Sequence, residues 1–193
     1  GIVLNGEWAY ASAKLMPGDT LLVTLTEDAG SENIVPRPIP FEIVYEDDDL
    51  FIINKPSDTP IHPSVNNYDN TLANGLAWLF EQRGEPFVFR CINRLDRDTS
   101  GLLILAKHAL SSALLSAMVQ KRQIHREYLA IAQGLVPDLG TIDAPIARAE
   151  ESVITRCVDF DKGEKAVTHF ERLSFKDGYS LVRLRLETGR THQ

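Results

Sequence analysis

The chain has few of the residues that build covalent or metal-held scaffolds: among its 193 residues only two are cysteine, two methionine and two tryptophan. Cys91 and Cys157 are too few and too far apart for a disulfide framework or a zinc site, and Cys91 falls in an apolar pattern where a reduced thiol acts as a small hydrophobe. No run reaches the eighteen or so apolar residues of a membrane-spanning helix, and the first residues lack the charged-then-apolar order of a secretory signal. A cytoplasmic protein without membrane attachment is therefore expected. Glycine patterns that cradle nucleotides are missing, as are internal repeats and low-complexity tracts. His62, His108, His125, His169 and His192 show no ligand-like spacing. Basic charge is not in excess either, and the net charge of −7 argues in bulk against a polyanionic partner. With 44% hydrophobic and 24% charged residues, the chain has the composition of one folded domain with at most a small appendage.

The bulk charge hides an uneven distribution. Residues 1–89 hold 14 acidic and 4 basic side chains, residues 90–126 hold 2 and 7, and residues 127–193 hold 11 and 9. The basic segment contains "INRLDRDTSGLLILAK", residues 92–107, where Arg94, Asp96, Arg97 and Asp98 crowd into five positions before an apolar run. For a phosphate-bearing substrate the local field of such a segment outweighs the total.

Hydrophobic periodicity and turn residues predict the elements. Residues 1–30 show two short strand patterns around Asn-Gly and Pro-Gly-Asp turns and are too short to bury a core alone. Residues 31–40, with three prolines, read as a linker. "FEIVYEDDDLFIINKP" predicts a hairpin, and Leu72, Leu76, Leu79 and Phe80 stand at helical spacing. Residues 87–92 read as a strand, and "LLILA" at 102–106 as a strand buried on both faces. Leu110, Leu114, Leu115 and Met118 form one stripe of a helix that ends in basic residues. A strand over "REYLAIAQ" closed by Gly134, then a hairpin turning at Lys176-Asp177-Gly178, complete the pattern. Mixed strands, helices and hairpins predict an α+β fold with a mixed, largely antiparallel central sheet and flanking helices, rather than a doubly wound parallel sheet.

Charged loops between strands are usually solvated, and Asp98 fits that reading as the first residue of a type I turn "DTSG". Asp96 does not. If the strand beginning near Phe87 runs through Leu95, Arg90, Ile92, Arg94 and Asp96 share a face, so Asp96 emerges beside Arg94 at a strand end. A carboxylate kept ionised by a neighbouring cation suits a nucleophile, a base or a stabiliser of positive charge. A D-x-D metal site is disfavoured because the guanidinium groups repel a cation, and no metal is expected.

"NRLDRDTSGLLILAK" resembles the signature of the RluA family of pseudouridine synthases. "NKPSDTPIHPS" at 54–64, "TLANGL" at 71–76, "HREYLAIAQG" at 125–134 and "LETGRTHQ" at 186–193 resemble further motifs of that family in the same order. Asn93 stands where histidine is commonest. The resemblance covers about residues 41–193. It implies a catalytic domain there, continuing past Gln193, and it makes residues 1–30 the remnant of a small RNA-binding module. It further implies that Asp96 is the catalytic aspartate, that Arg190 pairs with and orients it, that Tyr128 stacks on the flipped uracil, and that Arg94 fills the gap left in the RNA stack. Tyr128 shares its strand face with Ala130 and Ala132, which leaves space above the ring. Arg90, Arg97, Lys107, Lys121, Arg122 and Arg126 are candidates to line an RNA path.

The implied activity is isomerisation of specific uridines in structured ribosomal or transfer RNA, by a monomer that needs no cofactor because the reaction has no redox step. Two alternatives stand beside it: a non-catalytic RNA-binding protein that retained the fold, and a nucleoside hydrolase using the same carboxylate on an anomeric carbon.

Overall fold

Asn5 and Gly6 both adopt positive φ (51° and 88°), the geometry of a tight hairpin turn, and so fold β1 (Ile2–Leu4) onto β2 (Glu7–Trp8). β3 (Leu21–Val23) lies on the other side of β1, giving the order β2-β1-β3. Where the sequence suggested two strands there are three, the exposed two-residue β2 being too short to carry a periodic signal of its own. The computed structural model describes residues 1–25, 31, 33–65, 67–149 and 155–193. The end of the expected leading module, 26–30, and Glu32 of the expected linker lie outside the described residues. The chain divides into two compact units, Gly1–Leu114 and Leu115–Gln193.

In the first unit, β4 (Glu42–Glu46) and β5 (Leu50–Lys55) form the expected hairpin. Its turn is fixed by Asp47, whose Oδ1 accepts from the Asp49 and Leu50 amides at 2.8 Å each. Alternation along β5 sends Phe51, Ile53 and Lys55 inward. α1 (Leu72–Arg83) starts at a Thr71–Asn74 capping box and stops at Gly84 in the left-handed region. Its Leu72, Leu76 and Phe80 pack on Phe51 and Ile53, as the spacing predicted. β6 (Gly101–Ala106) completes the sheet β4-β5-β6 and adds Leu103 and Leu105 to this core. Residues 34–41 are not a free tether: Asn74 Nδ2 donates to Val35 O (2.8 Å) and the Arg37 amide to Asn74 O (3.1 Å). A Cβ on Gly75 would lie 2.9 Å from Ile39 O, so this strap needs glycine beneath it.

Three expectations fail here for identifiable reasons. The strand predicted over 87–92, and its continuation through Leu95, is reduced to one bridge, Cys91 to Leu105. The ladder stops because the Ile104 amide, after Ile104 O has accepted from Ile92, donates to the Asn93 side chain at 2.8 Å instead of to a backbone carbonyl. β6 is not buried on both faces along its length, since Leu102 is 59% exposed while Leu103 is fully buried; the second face closes only at its end, where Ala106 is buried. α2 (Ala109–Gln120) forms as expected, but Leu110, Leu114 and Met118 are exposed and its buried residue is Ser111. Periodicity identifies a stripe without identifying what covers it. Lys121 and Arg122 lie just past the helix end.

The second unit is built on a four-stranded antiparallel sheet, β7-β12-β11-β8. β7 (Arg126–Gln133) and β8 (Leu139–Asp143) are its edges, and between them β11 (Val167–Lys176) and β12 (Tyr179–Leu186) form the predicted hairpin. The turn is taken by Asp177 and Gly178, both at positive φ. A two-stranded ribbon, β9 (Ile146–Arg148) with β10 (Arg156–Val158), interrupts the sequence between β8 and β11. All strand pairs among the described residues are antiparallel. The fold is α+β, with the expected sheet realised as separate sheets in the two units.

Candidate active site

Asp96 and Arg94 belong to the first unit, Tyr128 and Arg190 to the second. In the first, a turn closes with the Thr99 amide donating to Asp96 O (3.2 Å). Asp96, not Asp98, therefore opens the turn, which corrects the reading of "DTSG". Asp98 sits inside it, its carbonyl accepting from Ser57 Oγ at 2.8 Å. Arg97 Nε donates to Asp58 at 2.7 Å. The turn is thus stapled to residues 57–59, and the Thr59 amide adds a bond to Arg97 O (3.2 Å).

The centre of this arrangement is a residue the sequence reading quoted but gave no role. Lys55 is fully buried, and its ammonium donates to Pro56 O (2.8 Å), Thr59 O (2.9 Å) and Arg97 O (2.8 Å). All three donors of the group are used. Burial lowers the Lys55 pKa, and the charges of Asp98, Asp58 and Asp96 oppose that shift. The signal was present in the alternation Phe51, Ile53, Lys55, which places the lysine on the buried face.

Asp96 and Arg94 are both exposed. Because the 87–95 strand does not form, their expected common strand face does not exist, and Asp96 makes no ion pair with Arg94. Asn93 ties this segment to β6 through Ile104 N, as above, and Leu102 O (3.3 Å). The half-buried Cys91 thiol donates to Asn93 O (2.8 Å), and desolvation pushes its pKa up to about 12, which keeps it an inert packing residue. His62 packs edge-on against Phe89, ring centroids 4.8 Å apart. Desolvation and, second, the Arg94 charge lower its pKa.

In the second unit Tyr128 shares one face of β7 with Arg126, Ala130 and Ala132, all half-buried, while Leu129 and Ile131 are exposed on the other. The expected division of faces is observed. The segment after β12 folds back on β11: Thr188 Oγ1 accepts from the Val167 amide (2.9 Å), and Gln193 Nε2 donates to Val167 O (3.1 Å). Gln193 Oε1 in turn accepts from the Arg190 amide (3.0 Å). The guanidinium of Arg126 lies across Gly189 where a Cβ would stand. Arg190 donates through Nε to Lys165 O (3.0 Å) and forms an ion pair with Glu164. Nothing in the sequence pattern pointed to Glu164. Among the described residues no group of three His, Cys, Asp or Glu side chains is placed to hold a metal ion, and no helix is long and apolar enough to cross a membrane.

Comparison with known proteins gives this geometry a context. The model of the RNA pseudouridylate synthase family matches residues 49–193. The uncharacterized RNA pseudouridine synthase YjbO of Bacillus subtilis is 38% identical over 98% of this chain and 67% of its own length. The ribosomal large subunit pseudouridine synthase D of Haemophilus ducreyi is 42% identical over all of this chain and 58% of its own. Among solved structures, human RNA pseudouridylate synthase domain containing 1 superposes with a TM-score of 0.67 at 28% identity, covering 81% of this chain and 63% of that one. The chain thus spans about three fifths to two thirds of the length of these relatives. The order of motifs, the α+β fold and these matches together show that the chain belongs to the RNA pseudouridylate synthase family, of the RluA type.

Proposed function

We propose that the protein carrying this chain isomerises uridine to pseudouridine in RNA, with Asp96 as its reactive carboxylate. The observation that carries the reading is the mounting of Asp96. It opens an exposed turn whose backbone is fixed from below by the buried Lys55 ammonium, through Arg97 O. A carboxylate on a rigid support, open to solvent on its outer side, suits attack on or stabilisation of an electron-poor sugar carbon.

In the reaction the C1′–N1 bond breaks with its electrons going to uracil, the base turns, and C1′ bonds to C5. The C5 proton leaves and N1 gains one, so atoms and charge balance without a redox partner or cofactor. Asp96 stabilises the positive charge that develops at C1′. Arg190 takes the role that its family motif implies, orienting that carboxylate. Tyr128, with small Ala130 and Ala132 beside it on the strand face, stacks on the extruded base, and Arg94 occupies the place the base has left.

Residues 1–30 act as part of a small RNA-binding module, 31–40 as the connection, and 41–193 as catalytic domain. The substrate is ribosomal or transfer RNA in the cytoplasm, acted on by a monomer. The reading is tested by mapping pseudouridines in total RNA from cells with and without the gene. Loss of specific sites, restored by the full-length protein, is expected. Unchanged maps, or free uracil released from RNA by the purified protein, would refute it.

A further inference from the structure

We propose that Arg148 and Arg156 form a phosphate clamp on the β9–β10 ribbon that grips the RNA backbone beside the Arg190 loop. The inference rests on the reading of this chain as part of an enzyme acting on RNA. The two residues are direct partners in the ribbon. Because the Ala149 amide donates to Thr155 O (3.0 Å), the neighbouring pair 148/156 falls in the non-hydrogen-bonded position, where facing side chains come closest. Like charges placed directly opposite repel each other.

Neither guanidinium forms an ion pair with a described residue, and Arg156 Nη1 is shut off from solvent with no hydrogen-bond partner. The contrast within the same unit is informative. Arg172 and Arg183 also each keep one buried nitrogen without a hydrogen bond, but Arg172 is neutralised by Asp138 and Arg183 by Glu127 and Glu171. A buried donor without an acceptor is unfavourable, so the Arg156 guanidinium gains by turning outward onto an acceptor beside Arg148. Two guanidinium forks on one face match an oxyanion with several free oxygens.

The ribbon is also mounted where such an anion would matter. At its root Ile146 and Glu164 exchange backbone bonds of 2.9 and 3.0 Å, and the Asp159 amide donates to Pro145 O (3.0 Å). Gly163 packs so closely on Pro145 that a Cβ would overlap Asp159 O. Glu164 is also the residue that holds Arg190. Arg148 stands two residues up the strand from Ile146, ~7 Å from this anchor. A phosphodiester flanking the target nucleotide is the anion brought to this position by an RNA substrate.

The test uses the full-length protein, a labelled uridine-containing RNA hairpin, and a potassium chloride series. Arg148→Gln and Arg156→Gln are each expected to reduce the slope of log Kd against log salt by about one, with Arg156→Lys restoring part of it. Pseudouridine formation on RNA from cells lacking the gene should show raised KM with kcat within a few-fold. Unchanged slopes for both variants, including the exposed Arg148→Gln, which does not disturb a buried atom, would overturn the clamp even if Tm shifts. Competition by millimolar inorganic phosphate with RNA slopes unchanged would make it a free-phosphate site and likewise overturn it. If wild-type protein forms no pseudouridine yet the slopes still fall, the enzymatic reading fails and the clamp stands.

Discussion

Lys55 ties two segments of the first unit together. Its ammonium ends three backbone carbonyls from two segments, so removal leaves buried acceptors unpaired as well as a void. Lys55→Met is expected to destabilise the protein by about 3 kcal/mol in urea titration, and to lower pseudouridine formation, because the support of the Asp96 turn goes with it. A cost under about 1 kcal/mol would show the bonds to be dispensable. The residue could be read as inward-facing from alternation, but lysines are seldom fully buried, and composition alone places them in solvent. The misplacement of Asp98 has a different origin. Both "DRDT" and "DTSG" satisfy the preference for aspartate at the first turn position, and only contacts distant in sequence, Ser57 to Asp98 O and Lys55 to Arg97 O, select the first.

At the scale of elements, α1 is joined to the 34–41 strap through one residue. Asn74 completes the helix cap, and its Nδ2 donates to Val35 O and Tyr68 O. Asn74→Ala should therefore cost about 2 kcal/mol, more than a cap alone, by thermal or chemical denaturation. Glu46, at the end of β4, receives both Arg83 of α1 (2.7 and 3.0 Å) and Lys107 beyond β6 (3.0 Å). Chiefly the Arg83 bonds hold its carboxyl below the ordinary value of 4.5. A carboxylate depressed in the folded state contributes stability above its unfolded pKa and loses it as pH falls through the folded one. The stability difference between wild type and Glu46→Gln is expected to be about 1 kcal/mol at neutral pH and to shrink below pH ~4.5. A difference that does not vary with pH would contradict this. Hairpins with marked turns, 42–55 and 167–186, were legible because turn residues and alternation agree. β8, β9 and β10 were not, being short and mixed in polarity, and the 87–92 strand was overcalled because the competing Asn93 side chain leaves no mark on hydrophobic period.

For the whole molecule, net charge is a poor guide to partner, since an acidic total coexists with a basic stretch at residues 90–126. The family and general architecture were legible because motifs spread along the chain keep their order. The surroundings of the candidate residues were less legible. The candidates themselves stand in the motifs, but Lys55 and Glu164, which hold the Asp96 turn and Arg190 in place, act through contacts that no local pattern encodes. The account stands or falls with the Asp96 carboxylate, whose replacement by an amide of the same shape removes the charge and leaves the turn's backbone bonds. The decisive measurement is pseudouridine formation and RNA affinity of full-length Asp96→Asn, side by side with wild type. The account predicts no detectable product with affinity retained within a few-fold; turnover near the wild-type rate would contradict it.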